Sequence, residues 1–362
     1  MERLTSSHSL DELLENYAYD RISIATLASH SALQIVHGAK KEGFRTVLIV
    51  EDERAWFYEQ FRHLVDKFVK VRKWKDLCLL DVVKTLREEN SVLVPHGSFV
   101  EYVGLDCAEQ VRVPIFGLRQ IFRIEADQHK KMRLLSDAGI PTPKSYRLNE
   151  RFEGLVIDKL PGAKGGRGYF VESDPEAVRK KIMNLVASGS ISKPEDVIIQ
   201  EYVVGVTAYV HYFYSPILER LEILGADIRY ESDVDGLSRI PFRLAERIFS
   251  DPTFTVVGNL PLVLRESLLV KYLEYGLKFV EATKRLSPYG IVGPFCLESV
   301  IDRDMKIKVF EFSGRIVAGT NLYVYGSPYS FLYWDEPMSM GRRIAREIRI
   351  AIQKKALEKV IT

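Results

Sequence analysis

Residues 21–50 hold two strand-like runs on either side of a helix-like segment, and this order constrains the fold more than any other feature. RISIATLAS alternates and is rich in β-branched residues, whereas TVLIV is a continuous apolar run. Between them, SHSALQIVHGAKKEGF spaces Leu33, Val36 and Ala39 for one helical face and reaches Gly43, where a helix can end. A strand–helix–strand order is typical of a βαβ unit, so we predict an N-terminal parallel sheet.

The sequence after this unit indicates further mixed α/β structure and a domain boundary. DKFVKV, a helix near 81–89 and SVLVPHGSF extend the first domain. A helix then reaches Ala138 and is ended by Gly139, after which Pro141 and Pro143 impose extended chain. This run of helix breakers favours a boundary between domains.

Two more units are predicted beyond the boundary. The first combines the runs GLVIDKL and GYFVES with a helix near 175–187 and a strand in DVIIQEYVVG. The second contains paired strands in TAYVHYFYSP and LERLEILGADIRYES, a long helix, a hairpin that turns at 302–304, and a closing helix.

Composition excludes several classes of protein. With 362 residues, 46% of them apolar and 28% charged, the chain is expected to form a soluble protein with two or three domains. The 51 basic and 49 acidic residues nearly cancel, so we expect no nonspecific binding to nucleic acid or to membranes. No apolar run approaches the ~18 residues of a membrane helix, and the charged N-terminus lacks a signal-peptide pattern.

The cysteines favour a reducing environment. Cys78, Cys107 and Cys296 are scattered and odd in number, which is typical of neither a disulfide framework nor a zinc cluster. We therefore predict a reducing, cytoplasmic location.

A glycine-rich basic loop in 157–171, IDKLPGAKGGRGYFV, indicates an anion site. Lys159, Lys164 and Arg167 lie among four glycines, and cations with unhindered backbone N–H groups suit a polyphosphate. The spacing matches neither a P-loop nor a dinucleotide fingerprint, so we interpret the loop as a hairpin tip. The alternative is an ordinary flexible turn.

Two glutamates on a predicted C-terminal hairpin are candidate metal ligands. Glu298 and Glu311 can face each other across neighbouring antiparallel strands, and carboxylates together with phosphates suit Mg²⁺. Alternatively, both point to solvent and pair with Lys306 or Lys308. Arg315, just past the strand end, is a candidate for stabilising charge on a transferring phosphoryl group, or else a surface arginine.

Polar loops follow two strands of the first domain. Ser29, His30 and Ser31 follow one strand, and His96, Gly97 and Ser98 follow another. Ligands of parallel sheets bind beyond the carboxyl ends of the strands, although each histidine alone could be a capping or structural residue. Together with the basic loop and the two glutamates, these residues indicate ATP-dependent activation of a small substrate.

The motifs also resemble a known family. The stretches AGIPTP, PGAKGGRGYF, QEYVVG, RYESDVDGLSRIP, VGNLP, GPFCLES and FEFSGRIVAGTN resemble the archaeal formate-dependent 5-formaminoimidazole-4-carboxamide ribonucleotide (FAICAR) synthetases of the ATP-grasp superfamily. The resemblance implies an α/β and α+β chain with the ATP-grasp fold and an N-terminal Rossmann-like (preATP-grasp) parallel-sheet domain. It implies three parts, namely 1–125, a small ATP-grasp lid subdomain at 126–205, and a C-terminal subdomain with the metal site at 206–362.

The activity implied is the formylation of 5-aminoimidazole-4-carboxamide ribonucleotide (AICAR) with ATP and formate, through formyl phosphate, in purine biosynthesis. The cofactor would be Mg²⁺, with Mn²⁺ as the alternative, held by Glu298 and Glu311, and Arg315 would face the transferring group. AICAR would contact His30, Ser98 and Asn259. The residues expected to bind ATP are Lys159, Gly162, Lys164, Gly165, Gly166, Arg167, Gly168, Glu201, Tyr202, Val203 and Glu231.

Some features depart from the family pattern, and other functions stay open. Asp127 is followed by Gln128 where ATP-grasp enzymes often carry lysine, so we assign no phosphate-binding role to Lys130 or Lys131. Ser313-Gly314-Arg315 replaces the usual Ser-Ala-Arg, and Glu298 stands where some members carry glutamine. A paralogous ATP-grasp ligase with another amine or carboxylate is the main alternative, and a noncatalytic nucleotide sensor is a third. The resemblance further implies a homo-oligomer, either a trimer or a hexamer.

Overall fold

Four parallel strands form the first sheet of the computed structural model, which describes residues 10–160, 169–241, 243–245 and 254–362. The strands are β1 Ser23–Leu27, β2 Arg45–Glu51, β3 Lys67–Val71 and β4 Ser91–Leu93, in the order β3-β2-β1-β4. Helix α2, Ala32–Lys41, joins β1 to β2. The predicted βαβ unit is therefore confirmed, because a crossover helix carries the chain back to a parallel neighbour.

Short helices surround this sheet. They are α1 Leu10–Leu14, α3 Asp52–Tyr58, α4 Leu80–Glu88, α5 Phe99–Val103, α6 Leu105–Gln110, α7 Ile121–Glu125 and α8 Gln128–Asp137, with 3₁₀ helices at Tyr19–Arg21, Glu59–Leu64 and Trp74–Cys78. As predicted, α8 ends just before Gly139, which adopts a φ of +67°.

A second, antiparallel sheet follows the proline-rich segment. It contains β5 Ser145–Tyr146, β6 Val156–Lys159, β7 Phe170–Glu172 and β8 Ile198–Glu201, in the order β5-β8-β6-β7. Helix α9, Pro175–Ala187, covers a separate small core, and a 3₁₀ helix spans Pro194–Asp196. The pairing of β6 with β7 confirms the predicted hairpin. Its tip, 161–168, lies outside the described residues.

The third sheet is the largest and is also antiparallel. It contains β9 Gly205–Ser215, β10 Arg220–Glu231, β11 Val256–Pro261, β12 Gly293–Asp302 and β13 Ile307–Ser313, in the order β11-β10-β9-β12-β13. Helix α10, Ser232–Leu237, follows β10, and α11, Glu266–Thr283, packs on one face. On that face Phe279 of α11 lies against Phe295 and Phe312, with ring centroids 5.1 and 4.8 Å away.

The C-terminal segment returns to the first sheet. It comprises 3₁₀ helices Ala318–Tyr323 and Leu357–Lys359 and helices α12 Pro328–Trp334 and α13 Met340–Gln353. Helix α13 crosses α2 where Gly38 and Gly341 meet, because a Cβ on either glycine would overlap backbone of the other helix. Arg343 of α13 is fully buried and pairs with Glu222 of β10 and with Glu347. The closing helix thereby ties the first sheet to the third.

Apart from Gly205, the first residue of β9, the three sheets lie within the three predicted parts of the chain, and the boundaries at 125 and 205 remain predictions. One hydrophobic core contains residues of both the first and the third sheets, such as Leu27, Ile49 and Phe312. The second sheet has its own core. Within the described ranges, no helix is long and apolar enough to cross a membrane.

The prediction that the cysteines form no disulfide is wrong. Cys78 and Cys107 are bonded, with an S–S distance of 2.00 Å, and only Cys296 is a free thiol. The bond ties the 3₁₀ helix Trp74–Cys78 to α6, and its two cysteines are 29 residues apart in sequence, which spacing arguments could not pair. Because intracellular proteins of hyperthermophiles also carry disulfides, the bond removes the argument for a reducing environment without deciding the compartment.

We expect replacement of both Cys78 and Cys107 by serine to lower the free energy of unfolding by about 2–4 kcal/mol, because the open chain regains conformational entropy. Thermal unfolding with and without a reductant checks this. The double variant should be insensitive to the reductant, whereas the wild-type melting temperature should fall. Free thiols at both positions in native, unreduced protein would contradict the bond.

Asp158 is a buried carboxylate in the core of the second sheet. Neither of its oxygens has a hydrogen-bond partner among the described residues. Burial raises the pKa of Asp158 to about 7, and the charge of Glu172 adds to this effect. Since the folded protein holds this proton more tightly than the unfolded chain, whose carboxyl titrates near pH 4, stability is lost as the pH rises toward 7.

We expect Asp158→Asn to be more stable than wild type at pH 8, by roughly 2–4 kcal/mol, because the variant never carries the buried charge. The advantage should shrink as the pH falls toward 5. Melting temperatures between pH 5 and 8 measure it, with the exposed Asp304→Asn as the control that should follow wild type. A pH-independent difference would show that ionisation of Asp158 is not the cause.

Candidate active site

One face of the third sheet carries a row of polar side chains. Glu298 of β12 lies opposite Glu311 of β13 in the ladder, as predicted, and Glu298 is also paired with Tyr209 of β9. Arg229 of β10 lies beside Asn259 of β11 in the same way. Since paired residues share a face, these strands present one polar surface, while α11 covers the apolar face behind it.

Two cations neutralise the two glutamates. Lys131 of α8 forms an ion pair with Glu311, and Arg229 Nη2 lies 2.8 Å from Glu298 Oε2. Ser313 Oγ donates a further hydrogen bond of 3.1 Å to Glu298. The alternative partner, Lys308, instead binds Glu201 at 2.7 Å. The glutamates therefore do not point to solvent, and protein side chains neutralise them.

The pKa values of the two glutamates shift in opposite directions because their neighbouring charges differ. Burial raises the pKa of Glu298 despite the opposing charge of Arg229. For Glu311, burial alone would also raise the pKa, but the charges of Lys131 and Lys159 outweigh it and lower the pKa to about 2. When two carboxylates are adjacent, ionisation of one makes ionisation of the other less favourable, so their pKa values move apart.

Lys159 lies close to the same carboxylates. It is buried at the end of β6, where its Nζ donates to Phe310 O at 3.3 Å and lies 4.7 Å from the centroid of the Phe310 ring. Burial lowers the pKa of Lys159 to about 8, although the charge of Glu311 opposes this. Burial raises the pKa of Tyr169, and the charges of Glu311 and Glu298 raise it too. Tyr169 therefore also lies near the two carboxylates.

Arg315 is anchored by an acidic residue that the sequence did not single out. Its Nη1 lies 2.6 Å from Glu125 Oε1 at the end of α7, and both side chains are buried. Arg315 Nε and Glu125 Oε2 are buried without hydrogen-bond partners among the described residues. The guanidinium is thus held in position while keeping a free donor, which excludes the alternative of a surface arginine.

The loop after β1 reaches the third sheet. Ser31 Oγ donates to Val317 O at 3.3 Å and therefore accepts from His30 Nδ1 at 2.9 Å, which leaves His30 Nε2 as an acceptor. Burial, together with the charges of Arg315 and Arg229, lowers the pKa of His30 to about 3. His30 is consequently neutral and close to both arginines.

The second polar loop packs directly against His30. The ring of His96 stacks on that of His30 at 5.3 Å, donates from Nε2 to Leu27 O at 3.2 Å, and accepts at Nδ1 from the backbone N–H of Ser98 at 3.3 Å. A Cβ at Gly97 would overlap the His30 ring, so this position requires glycine. His96 is therefore a structural residue beneath the loop, whereas Ser98 lies at the N-terminus of α5.

The expected nucleotide hinge connects the second and third sheets. Glu201 ends β8, Tyr202 N donates to Leu155 O at 2.9 Å, and Val203 leads toward β9. Glu231 ends β10. Burial raises the pKa of Tyr202 and the charge of Glu231 adds to this rise, which indicates that Glu231 lies near the hinge. Burial raises the pKa of Glu231 itself to about 7, against the opposing charge of Arg229.

The structure thus places most of the predicted site residues around one face, and their roles remain predictions. Glu298, Glu311 and Lys159 lie together, Arg315 and His30 are adjacent to them, and the lid residues Gly162, Lys164, Gly165, Gly166, Arg167 and Gly168 lie outside the described residues. Among the residues that are described, no group of three or more acidic, histidine or cysteine side chains could hold a metal. Two carboxylates suit an ion that takes its other ligands from phosphates and water.

Sequence reasoning missed Lys131, Arg229 and Glu125. Lys131 lies three residues after Gln128, so both share a helical face, and helical spacing could have revealed it. Arg229 lies between Asp227 and Glu231 in a strand that alternates polar residues, which was a readable signal. Glu125 carried no signal, because only the fold brings it to Arg315.

Comparison with known proteins places the chain in a family. A family profile described as "Domain of unknown function (DUF1297)" matches residues 177–362, and one described as "Protein of unknown function (DUF1246)" matches residues 24–146. A 5-formaminoimidazole-4-carboxamide-1-(beta)-D-ribofuranosyl 5'-monophosphate synthetase of Ignicoccus hospitalis is 58% identical over 97% of this chain and 99% of its own length. The synthetase of the same description from Saccharolobus solfataricus is 51% identical over 94% and 99%.

Comparison with solved structures supports the same family and its fold. The IMP biosynthesis protein PurP from Thermococcus kodakaraensis is 35% identical, with a TM-score of 0.74, covering 94% of this chain and all of that one. The ADP complex of N5-carboxyaminoimidazole ribonucleotide synthetase is 14% identical with a TM-score of 0.64, covering 90% and 76%, which shows the fold alone. These neighbours confirm the predicted ATP-grasp fold. The chain therefore belongs to the FAICAR synthetase family of the ATP-grasp superfamily.

Proposed function

We propose that the chain formylates AICAR to FAICAR, using ATP and formate and releasing ADP and phosphate. Membership of the FAICAR synthetase family supports this. The structural observation that carries it is the proximity of the acidic pair to the His30 loop, because Arg229, which pairs with Glu298, also lowers the pKa of His30. A phosphoryl-transfer site and a small-molecule pocket are therefore adjacent.

The proposed reaction has two steps. An oxygen of formate attacks the γ-phosphorus of ATP, the bond from that phosphorus to ADP breaks, and formyl phosphate forms. The 5-amino nitrogen of AICAR then attacks the formyl carbon, the bond from carbon to the phosphate oxygen breaks, and the amine proton leaves with hydrogen phosphate. Because formyl phosphate hydrolyses in water, the site must exclude solvent.

Glu298 and Glu311 would hold the divalent cation. Their opposed carboxylates are hard oxygen donors of the kind Mg²⁺ binds alongside phosphates, and Mn²⁺ accepts the same ligands. A biotin carboxylase domain with the same fold was solved with MgADP, which supports Mg²⁺ with an adenine nucleotide here. When bound, the ion neutralises charge on the phosphate oxygens.

We assign Lys131 and Arg229 a double role in this proposal. They balance the two carboxylates by forming ion pairs with them. When the cation takes the carboxylates, the same ammonium and guanidinium groups can turn to phosphate oxygens, so no buried charge loses its partner. Arg315, fixed by Glu125, would face the transferring phosphoryl group.

The remaining residues would enclose the substrates. Lys159 and the lid residues Gly162 to Gly168 would contact phosphates, and Glu201 to Val203 with Glu231 would meet the adenosine. His30, Ser98 and Asn259 would bind AICAR from two sides, with neutral His30 offering Nε2 as an acceptor. A neutral acceptor suits an amine or hydroxyl donor of the substrate.

The setting of the enzyme is proposed from its substrates and surface. ATP and a phosphorylated ribonucleotide are intracellular compounds, which supports a cytoplasmic location. Large apolar side chains such as Tyr325 and Leu332 are 80% and 85% exposed, and association of copies as a trimer or hexamer would cover such residues.

We expect the purified chain to release ADP continuously only when ATP, Mg²⁺, formate and AICAR are all present, because formate accepts the phosphoryl group and AICAR accepts the formyl group. A coupled ADP assay measures this, and FAICAR is identified by mass. A panel of other amines and carboxylates serves as the control. Faster ADP release with another pair would favour the paralogous ligase, and binding of ATP without turnover of any pair would favour the sensor.

We expect Glu311→Gln to weaken binding of MgATP by about tenfold or more, because the amide retains an oxygen ligand but loses the charge and leaves Lys131 unbalanced. Calorimetric titration of ATP with and without Mg²⁺ measures the effect independently of turnover. Glu89→Gln, which removes a partly exposed carboxylate paired with Lys67, is the matched control. An unchanged response to Mg²⁺ would remove Glu311 from the proposed metal site.

A further inference from the structure

A buried carboxylate, Asp227, lies on the polar face beside the proposed AICAR contact Asn259. Its Oδ1 accepts from His211 Nε2 at 2.6 Å, and its Oδ2 accepts from Asn259 Nδ2 at 2.7 Å. The side chains of His211 and Asp227 are only 1% and 2% exposed. Neither residue has a place among the nucleotide, metal or ribonucleotide contacts assigned above.

The chemistry of this group restricts the orientation of Asn259. An ionised carboxylate only accepts hydrogen bonds, so Asn259 must turn its nitrogen, not its oxygen, toward Asp227. One N–H and the carbonyl oxygen of the amide then remain for a ligand. Without Asp227, the amide could rotate by half a turn and exchange donor and acceptor.

We propose that Asp227 and His211 are positioning residues for the ribonucleotide. Asp227 holds the Asn259 amide in its binding orientation, and His211 holds Asp227. This inference rests on the proposed function, because it concerns the same AICAR pocket.

The same pair also supports the opposite side of the pocket. A Cβ at Gly319 would overlap the carboxylate of Asp227 and lie 2.9 Å from His211 Nε2, so the 3₁₀ helix Ala318–Tyr323 rests directly on their hydrogen bond. That helix reaches the other proposed AICAR contact, since Asn321 Nδ2 donates to His30 O at 3.2 Å. Asp227 therefore connects to Asn259 by a hydrogen bond and to His30 through one helix.

A purely structural role explains His211 less well. Its Nδ1 is buried and has no hydrogen-bond partner among the described residues, which makes a histidine costly at this position. An apolar side chain would fill the same space without that cost. The hydrogen bond to Asp227 is the contribution that an apolar residue could not make.

The test measures AICAR binding to the full-length protein by calorimetry, without ATP or formate. Binding to the wild type tests the proposed function itself. We expect Asp227→Asn to bind AICAR about tenfold more weakly, because the new amide no longer dictates the orientation of Asn259. Its affinity for MgATP should stay within about twofold of wild type.

A double-mutant cycle distinguishes positioning from a general loss of structure. If Asp227 acts through Asn259, adding Asp227→Asn to Asn259→Ala should weaken AICAR binding by less than about twofold. Independent, multiplying losses would overturn the proposal, as would wild-type affinity in Asp227→Asn or an equal loss of affinity for MgATP.

Two further variants keep the test interpretable. Glu347→Gln removes another buried carboxylate, which accepts from Ser215 Oγ at 2.6 Å and Arg343 Nη1 at 2.8 Å, and it should lower thermal stability without changing AICAR affinity. Should Asp227→Asn fold poorly, Gly319→Ala presses on the same hydrogen bond and should also weaken AICAR binding selectively. Unchanged AICAR affinity in a folded Gly319→Ala protein would contradict the proposal.

Discussion

Two glutamates opposed across one pair of antiparallel strands are the constraint on which the rest of the site depends. Glu298 and Glu311 are brought together by the ladder between β12 and β13, and their side chains are only 3% and 20% exposed. Such a pair is unfavourable unless cations surround it. This requirement explains why three different elements place Lys131, Lys159 and Arg229 beside the pair. The same three cations supply the positive charge that a triphosphate needs.

The site is assembled from distant parts of the chain. Helix α13 crosses α2 and carries the third sheet against the first, so that the loop Arg315–Val317 meets the loops after β1 and β4. His96 pairs with Ile316 in an isolated bridge, which joins the two halves through backbone as well as side chains. The acidic pair and the His30 loop are thereby adjacent without sharing a strand.

Local sequence pattern predicted several elements of this arrangement, but not the contacts between residues that are far apart in the chain. The βαβ unit, the hairpin around the basic loop and the facing of Glu298 and Glu311 all follow from periodicity and alternation within short stretches. The partners of the charged residues did not follow, because Lys131 and Glu311 are separated by 180 residues. The Cys78–Cys107 bond was missed for the same reason. Pairings of this kind depend on how whole elements pack.

The meeting of Gly38 and Gly341 has a consequence far from any ligand. Backbone presses on backbone at this crossing, so the separation of α2 and α13 is already at its minimum. Gln34 of α2 also donates hydrogen bonds to Thr320 and Asn321, beside the substrate loops. Any side chain added at the crossing would push the two helices apart and move Gln34 away from Thr320 and Asn321.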